Sequence, residues 1–133
     1  MVTTSSMMEL VLERDPAFGE AWSEYLSSRD PGELSPYSDI DVYLEYVCQL
    51  MRAGKRGADR SFQVVEALLR QGDEDVQTVV TLGFLESLTN IALNGNINPA
   101  LFVSLLGPLS AEACRELDVG WGTRLPGLWP ESA

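Results

Sequence analysis

The chain has 133 residues, with 20 acidic and 9 basic residues, a formal net charge of −11 and no histidine. This length fits one domain, and we predict a single domain over residues 1–133. Without histidine the chain lacks the commonest general base and the commonest metal ligand, so we expect no catalytic residue, no metal site and no cofactor. The excess of carboxylates disfavours binding to nucleic acid and to anionic membranes, which leaves a basic protein as the favoured partner.

The first two predicted helices follow side chains that are typical of helix starts. Ser6 and Glu9 have the spacing of a capping box and predict a helix over residues 6–14. Asp15 before Pro16 gives an N-cap residue followed by a proline at the first helical position, which predicts a second helix. The apolar stripe of the second helix consists of Phe18, Ala21, Trp22, Tyr25 and Leu26.

A third helix is predicted over residues 39–52, after a surface loop over residues 28–38 that contains two prolines and a glycine. Ser38 and Asp41 repeat the capping-box spacing at its start. The apolar stripe of this helix consists of Ile40, Tyr43, Leu44, Val47, Cys48 and Met51.

A fourth helix is predicted to begin at an Asp59 cap and to end before Gly72, which fits the left-handed position that often terminates helices. Its apolar stripe includes Phe62, Val65, Leu68 and Leu69. Glu66 and Arg70 are four residues apart, and we expect them to form an ion pair on its outer side.

Residues 73–93 differ from the other segments because apolar side chains occur on every side of the predicted helix. Such a helix is expected at the centre of the fold, and Gly83 within it predicts a close crossing with another helix. Glu86 is the one carboxylate on this helix beyond its first turn. We expect it to pair with an arginine or with backbone donors, with a functional carboxylate of shifted pKa as the alternative.

The C-terminal part predicts two short helices and a tail. Asn98 before Pro99 predicts a helix to residue 106, and Ser110 is expected to cap a second helix through Leu117. Residues 120–133 contain two tryptophans among glycines and prolines. We expect this tail to pack back on the domain, with a free docking segment as the alternative.

These segments together predict an all-α fold, a compact bundle of about six or seven short helices around the central helix 73–93. A helical solenoid is the alternative, because two pairs of segments resemble helical hairpins. Cys48 and Cys114 are interpreted as small core residues, although a single disulfide between them stays open. The sequence contains no recognisable secretory signal or membrane span, so we expect a cytoplasmic protein.

Charge is distributed unevenly along the chain. Residues 1–51 have a net charge of −8, residues 52–72 of +3 and residues 73–133 of −6. We expect the basic segment to pair with neighbouring carboxylates, because it lacks the interleaved aromatic residues of a nucleic-acid patch. Its basic residues are Arg52, Lys55, Arg56, Arg60 and Arg70.

The sequence GDEDVQTVVTLGFLESL at residues 72–88 resembles a family of small, acidic, all-helical bacterial proteins of unassigned function. In that family a Gly-Asp-Glu turn precedes a helix with Gly-Phe-Leu-Glu, and the resemblance covers mainly residues 59–93. Such proteins resemble the immunity partners of bacterial polymorphic toxins, so the resemblance implies a toxin inhibitor. The matching positions are Gly72, Asp73, Glu74, Val76, Gly83, Phe84, Leu85 and Glu86.

Our first functional hypothesis is a non-catalytic, immunity-type protein that neutralises a basic toxin domain by binding it. The alternative is a helical adaptor or assembly subunit, and a third hypothesis is an enzyme that uses carboxylates and a metal. The sequence leaves the oligomeric state open. The predicted contact residues lie in the long loop, on the third helix and at the start of the central helix: Asp30, Glu33, Tyr37, Asp39, Asp41, Glu45, Asp73, Glu74 and Asp75.

Overall fold

A computed structural model describes residues 1–30 and 35–130 of the protein. Within these ranges the fold is all-α and compact, as predicted, and the described residues contain no strand, only one isolated β-bridge between Val2 and Gly72. The α-helices are α1 (Met7–Arg14), α2 (Gly19–Ser28), α3 (Pro36–Arg52), α4 (Ala58–Gln71), α5 (Glu74–Val79), α6 (Ser87–Leu93) and α7 (Pro108–Trp121).

Helices α5 and α6 are the two ends of one continuous helix, Glu74–Leu93, and the π-helical segment Val80–Glu86 joins them. Gly83 lies in this segment where α3 crosses it. A Cβ atom on Gly83 would stand 2.6 Å from Cγ2 of Ile40 and 3.4 Å from Cδ1 of Tyr37. The predicted close crossing is therefore confirmed, because only a residue without a side chain allows α3 to approach this closely.

The inner side of the central helix forms the middle of the hydrophobic core. Phe84 is fully buried, and its ring centroid lies 5.9 Å from that of Phe62 and 6.1 Å from that of Tyr43. Phe102 stacks on Phe62 at 6.1 Å, so rings from α3, α4 and the segment after α6 meet here. The expectation that this helix is enclosed on every side is wrong, because Leu82 is 44% exposed and Leu93 is 38% exposed.

Contacts between helices that are distant in the chain make the fold a bundle. Helix α4 packs against both α1 and α7, and α7 packs against the π-helical segment Val80–Glu86. In a solenoid each repeat contacts only its neighbours, so these contacts favour the compact bundle over the solenoid alternative.

The two polar residues predicted to cap the first helices have other partners. Ser6 makes no side-chain bond to α1, and its hydroxyl contacts the backbone of Thr3. Asp15 is buried and accepts hydrogen bonds from the Tyr43 hydroxyl at 2.7 Å and the Ser61 hydroxyl at 2.9 Å. A carboxylate shielded from water requires such donors, so Asp15 connects α3 and α4 and does not cap a helix.

Helix α3 begins at Pro36, three residues before the predicted start. Ser35 is its N-cap, and the Ser35 hydroxyl accepts a hydrogen bond from the Tyr37 N–H at 3.1 Å. The prediction that Ser38 caps this helix is therefore wrong. Ser35 with Pro36 provides a cap followed by a proline at the first helical position, and this combination starts the helix one turn earlier.

Glycines lie at both ends of α4. Gly57, with φ 116°, occupies the N-cap position, so Asp59 lies in the first turn and is not the predicted cap. Gly72 has φ −77°, an extended conformation and not the predicted left-handed one. A side chain on Gly72 would overlap Val76 and the Leu68 carbonyl, so lack of space explains this glycine.

The N-terminus of α7 is capped by a side chain from another helix. The Glu66 carboxylate on α4 accepts hydrogen bonds from the Leu109 N–H, the Ser110 N–H and the Ser110 hydroxyl, each at 2.9 Å. Gly107 precedes α7 and has no side chain, and a Cβ atom there would overlap the Glu66 carboxyl group. The predictions of a Ser110 cap and of an outward-facing Glu66 are therefore wrong.

The segment before α7 contains two 3₁₀ turns, Pro99–Leu101 and Val103–Leu105, where an α-helix was predicted. The predicted cap is confirmed, because the Asn98 side chain accepts a hydrogen bond from the Ala100 N–H at 3.0 Å. Helix α7 itself extends to Trp121, one turn beyond the predicted end.

The C-terminal tail packs back on the domain, as predicted. Leu125 and Leu128 are buried, and residues 131–133 lie outside the described part of the chain. The Asp118 carboxylate accepts hydrogen bonds from the Leu125 N–H at 2.8 Å and the Trp129 indole N–H at 2.7 Å. Asp118 thus connects the end of α7 to the tail.

By length and composition alone, the helix Glu74–Leu93 is apolar enough to cross a membrane, with a mean hydropathy of 1.3. No membrane span was predicted for it from the sequence. Of this stretch, 44% is buried within the protein. The core helix of a folded domain meets the same criterion, so this property is weak support for a membrane span.

Candidate protein-binding surface

Helices α2 and α3 form an antiparallel hairpin. Phe18, which precedes α2, lies 5.2 Å from Tyr46 between ring centroids, and Tyr46 belongs to the second half of α3. At the other end of the hairpin, the Tyr25 hydroxyl donates a hydrogen bond to the Asp39 carboxylate at 3.0 Å. The hairpin therefore presents one side of each helix to the core and the other side to solvent.

Three of the predicted contact residues lie together on the outer side of α3. Tyr37, Asp41 and Glu45 are exposed and are spaced four residues apart, so they follow one exposed stripe, which Gln49 continues. We call this stripe, together with the exposed Glu20 and Glu24 of α2, the α2–α3 face.

A groove with a volume of about 330 Å³ separates the two helices on this face. Tyr25 and Tyr46 contribute aromatic rings to it, and Glu24 and Glu45 contribute carboxylates from opposite sides. We call it the α2–α3 groove. Its lining residues are Ala21, Glu24, Tyr25, Ser28, Val42, Glu45, Tyr46 and Gln49.

Aromatic packing connects the two tyrosines of the groove. Trp22 lies 5.3 Å from Tyr25 and 6.0 Å from Phe18 between ring centroids, and Phe18 in turn contacts Tyr46. Phe18 is fully buried in the core. The aromatic part of the groove therefore rests on the core and is held in one position.

Asp39 was predicted as a contact residue, but it is engaged within the protein. Its Oδ1 atom accepts the hydrogen bond from Tyr25 and pairs with Nη1 of Arg29 at 3.3 Å. The Arg29 guanidinium also lies over the Tyr25 ring, 5.4 Å from its centroid. Burial raises the pKa of Tyr25; the hydrogen bond from Arg29 opposes this rise, and the bond to Asp39 adds to it.

The two loop residues predicted to contact a partner are Asp30 and Glu33. Asp30 is exposed at the end of α2, beside Arg29. Glu33 lies outside the described residues. The loop part of the predicted surface therefore rests on Asp30 alone within the described chain.

The acidic cluster at residues 73–75 divides into one structural and two exposed side chains. Asp73 is the N-cap of α5, and its carboxylate accepts a hydrogen bond from the Val76 N–H at 2.9 Å. Glu74 and Asp75 are exposed in the first turn, where carboxylates stabilise the positive end of the helix. Glu74 lines a separate groove along α5 and not the α2–α3 groove.

Sequence reasoning missed two tyrosines and one glutamate of the groove. Tyr25 was assigned to the apolar stripe of α2, and Tyr46 was not included in the stripe of α3. Glu24 was not among the predicted contact residues. The available signal was the adjacency of an acid and a tyrosine on each helix, Glu24 with Tyr25 and Glu45 with Tyr46.

Within the described chain, Arg70 pairs with Glu66 at 3.4 Å, but the other basic residues of positions 52–72 do not pair with carboxylates as expected. In the described part of the chain, Lys55, Arg56 and Arg60 form no ion pair, and Arg52 donates to the Asn96 carbonyl at 3.3 Å. Lys55 and Arg56 line a groove of about 440 Å³ together with Leu101. A solvated basic loop is the simplest interpretation, because exposed cations gain little from surface pairing.

Two interior carboxylates have lowered pKa values. Burial alone raises the pKa of Glu66, but the hydrogen bonds from Leu109 and Ser110 and the charge of Arg70, 3.4 Å away, lower it overall. Burial likewise raises the pKa of Asp118, and its bonds from the tail outweigh that effect. Both groups hold the fold together in their ionised form.

The described residues contain no group of three or more His, Cys, Asp or Glu side chains that could hold a metal ion. Cys48 and Cys114 are buried and free, so the disulfide left open by the sequence is not formed. Burial raises the pKa of both thiols, that of Cys114 to about 11, which makes them poor nucleophiles.

The chemistry offered by the α2–α3 groove is recognition of cations by carboxylates and aromatic rings.

The chain belongs to the DUF7674 family, a domain of unknown function, whose family model matches residues 8–122. The match begins in α1 and extends to the residue after α7, so it includes the α2–α3 hairpin and the central helix. No curated protein and no solved structure matched the chain. The expectation of a family without an assigned function is consistent with this finding.

Proposed function

We propose that this member of the DUF7674 family is a non-catalytic protein-binding module that neutralises a basic toxin domain by binding it through the α2–α3 face. One observation supports the proposal above all. Glu24, Asp41 and Glu45 are exposed on this face, and among the described residues none of them has an ion-pair partner. These carboxylates are free to pair with lysines and arginines of another protein.

The charge of the chain supports the same partner class. The net charge is −11 in total and −8 within residues 1–51, which contain α2 and most of α3. A basic partner is attracted to such a surface before contact, and association accelerates to as much as about 10⁸ M⁻¹s⁻¹ at low salt. An inhibitor that must reach its toxin quickly benefits from this attraction.

Coexpression with neighbouring gene products tests the proposal. Each product of a gene that flanks the gene for this chain is expressed alone and together with the chain, and cell growth is measured. We expect one flanking product to arrest growth alone and to be tolerated when this chain is present. The double variant Asp41→Lys/Glu45→Lys should lose that protection.

The double variant Glu112→Lys/Glu116→Lys is the matched control, because it makes the same change in net charge on exposed residues of α7. It should keep protection. If no flanking product is toxic, or if both double variants protect equally well, the proposed function is wrong.

A helical adaptor remains the second candidate, and the end of α7 favours it. Val119 is 73% exposed and Trp121 is 39% exposed, so two large apolar side chains meet solvent near the end of α7. Exposed apolar surface of this kind suits contact with another subunit. An adaptor predicts an assembly larger than a monomer in sizing chromatography, which Val119→Lys should dissociate.

A further inference from the structure

The α2–α3 groove combines acidic and aromatic side chains in one cavity. Glu24 and Tyr25 line it from α2, and Glu45 and Tyr46 line it from α3. Both carboxylates are exposed, and both rings are partly buried. A cation that enters this groove meets two carboxylates and the Tyr46 ring, whereas Arg29 already lies over the Tyr25 ring.

The protein already binds one guanidinium group at the end of this groove. Arg29 lies 5.4 Å from the centroid of the Tyr25 ring, and its Nη1 atom lies 3.3 Å from Oδ1 of Asp39. The same tyrosine donates its hydroxyl hydrogen bond to that carboxylate at 3.0 Å. Arg29, Tyr25 and Asp39 therefore form an arginine site within the chain, built from one tyrosine and one carboxylate.

The groove repeats this chemistry without an arginine of its own. Tyr46 with Glu45 provides a second tyrosine and carboxylate, and Glu24 adds a further carboxylate across the groove. Among the described residues, no lysine or arginine lines it. We propose that the α2–α3 groove binds an arginine side chain of the basic protein partner, an inference that rests on the proposed function.

Arginine fits the groove better than lysine for a geometric reason. Its planar guanidinium stacks on aromatic rings and offers several N–H donors, so it can contact a ring and both carboxylates together. A lysine ammonium is a compact and strongly hydrated charge that gains less from a ring. The groove should therefore distinguish the two residues.

A second groove of the protein provides an internal comparison. Glu112 and Glu116 of α7 line a groove of about 180 Å³ together with Gln77, Thr81 and Leu109. It has two glutamates, like the α2–α3 groove, but no aromatic ring lines it. Glu112 also pairs with Arg115 at 3.6 Å, but an exposed pair of this kind contributes little. If charge alone attracted the partner, the two grooves would therefore bind a basic peptide with similar affinity.

The test uses the full chain labelled with ¹⁵N and three short blocked peptides of alternating glycine and a second residue. That residue is arginine, lysine or citrulline, the last being an uncharged analogue of arginine. Chemical-shift changes locate the binding site and give the dissociation constants. We expect shifts at the α2–α3 groove, with the arginine peptide about 2- to 5-fold tighter than the lysine peptide and no binding by the citrulline peptide.

Three variants sharpen the test. Glu24→Gln/Glu45→Gln should weaken the arginine peptide about 3- to 10-fold. The matched variant Glu112→Gln/Glu116→Gln should leave its affinity within about 2-fold of the original, because any charge effect from α7 is screened by salt. Tyr46→Leu should abolish the preference for arginine over lysine, and circular dichroism checks that this variant remains folded.

The inference is overturned if the arginine and lysine peptides bind equally, if both double variants weaken binding alike, or if no shifts appear in the groove. Those results concern the groove alone. If the chain still protects cells in coexpression while any of these binding results is obtained, the proposed function stands and only the arginine site is wrong. Arginine-selective binding at the groove without a toxic flanking product would support the site and contradict the proposed function.

Discussion

Carboxylates in two regions of this protein have opposite surroundings. Those in the interior are buried and accept hydrogen bonds from other helices or from the C-terminal tail. Those on the α2–α3 face are exposed and have no ion-pair partner among the described residues. The interior group consists of Asp15, Glu66 and Asp118, and the surface group consists of Glu20, Glu24, Asp41 and Glu45.

This difference indicates which acidic residues maintain the fold and which are available to a partner. A buried carboxylate is tolerated only when donors compensate for its lost hydration, so its removal leaves those donors unsatisfied. An exposed carboxylate keeps its hydration, so its removal changes the surface potential with little effect on stability. The formal charge of −11 therefore includes both structural and surface charges.

The largest loss of stability is expected when Asp15 is substituted. Asp15→Ala removes the acceptor for the Tyr43 and Ser61 hydroxyls, and we expect it to lower the free energy of unfolding by about 3–5 kcal/mol. Urea denaturation measures the change. Asp15→Asn keeps one acceptor oxygen and should cost less, so equal losses in both variants would contradict this explanation.

The second largest loss of stability is expected at Glu66, because its carboxylate caps α7. Glu66→Gln replaces one acceptor oxygen with an amide that faces the Leu109 and Ser110 N–H groups, at an expected cost of about 1–3 kcal/mol. Arg70→Gln tests the ion pair separately and should cost less than about 1 kcal/mol, because the Arg70 side chain is 63% exposed. If Arg70→Gln lowers the free energy of unfolding more than Glu66→Gln does, the ion pair and not the cap provides the stabilisation.

The Asp118 contact predicts a dependence on pH. Its pKa is lower in the folded protein, so the stabilisation is complete above the ordinary aspartate pKa of about 3.9 and is lost as the pH falls through the folded value. The NMR signal of the Trp129 indole N–H should shift over that acidic range as the hydrogen bond is lost.

Asp118→Asn is the variant for this test. It should lower the stability at neutral pH by about 1–2 kcal/mol and should shift the Trp129 signal already at neutral pH. A Trp129 signal that is the same in the variant and the original protein would exclude this connection between α7 and the tail.

The smallest effect on stability is expected on the α2–α3 face. Asp41→Lys/Glu45→Lys should change the free energy of unfolding by less than about 0.5 kcal/mol, because both side chains are exposed and form no ion pair. The same denaturation assay measures it. A loss comparable to that of Asp15→Ala would place these residues in the structural group and remove the contrast between the two regions.

Much of the helical fold could be predicted because apolar spacing reports burial directly. The stripe on α3 and the central position of Gly83 were both predicted, and both follow from the periodicity of an α-helix. The helix starts were less predictable. Ser6 and Asp15 have the residue types of N-caps, but their oxygens have other partners, the adjacent Thr3 backbone for Ser6 and distant hydroxyl groups for Asp15. The residue type alone does not reveal that competition.

The candidate site was predicted in part for the same reason. Tyr37, Asp41 and Glu45 share one exposed stripe because their spacing within one helix places them there. The groove was not predicted, since it requires Glu24 and Tyr25 of α2 to lie beside Tyr46 of α3. Asp39 was predicted to contact a partner. Its pairing with Arg29 was not predicted, because this contact joins α3 to the residue that follows α2.

The sequence by itself determined the all-helical class, the apolar central helix and the acidic character, because these depend on composition and on spacing within a single segment. The tertiary structure decided which carboxylates are buried, what caps α7 and where the α2–α3 groove lies. Each of those features depends on two segments meeting, as Glu66 meets the start of α7 across 43 residues of chain. Spacing along one helix contains no information about such encounters.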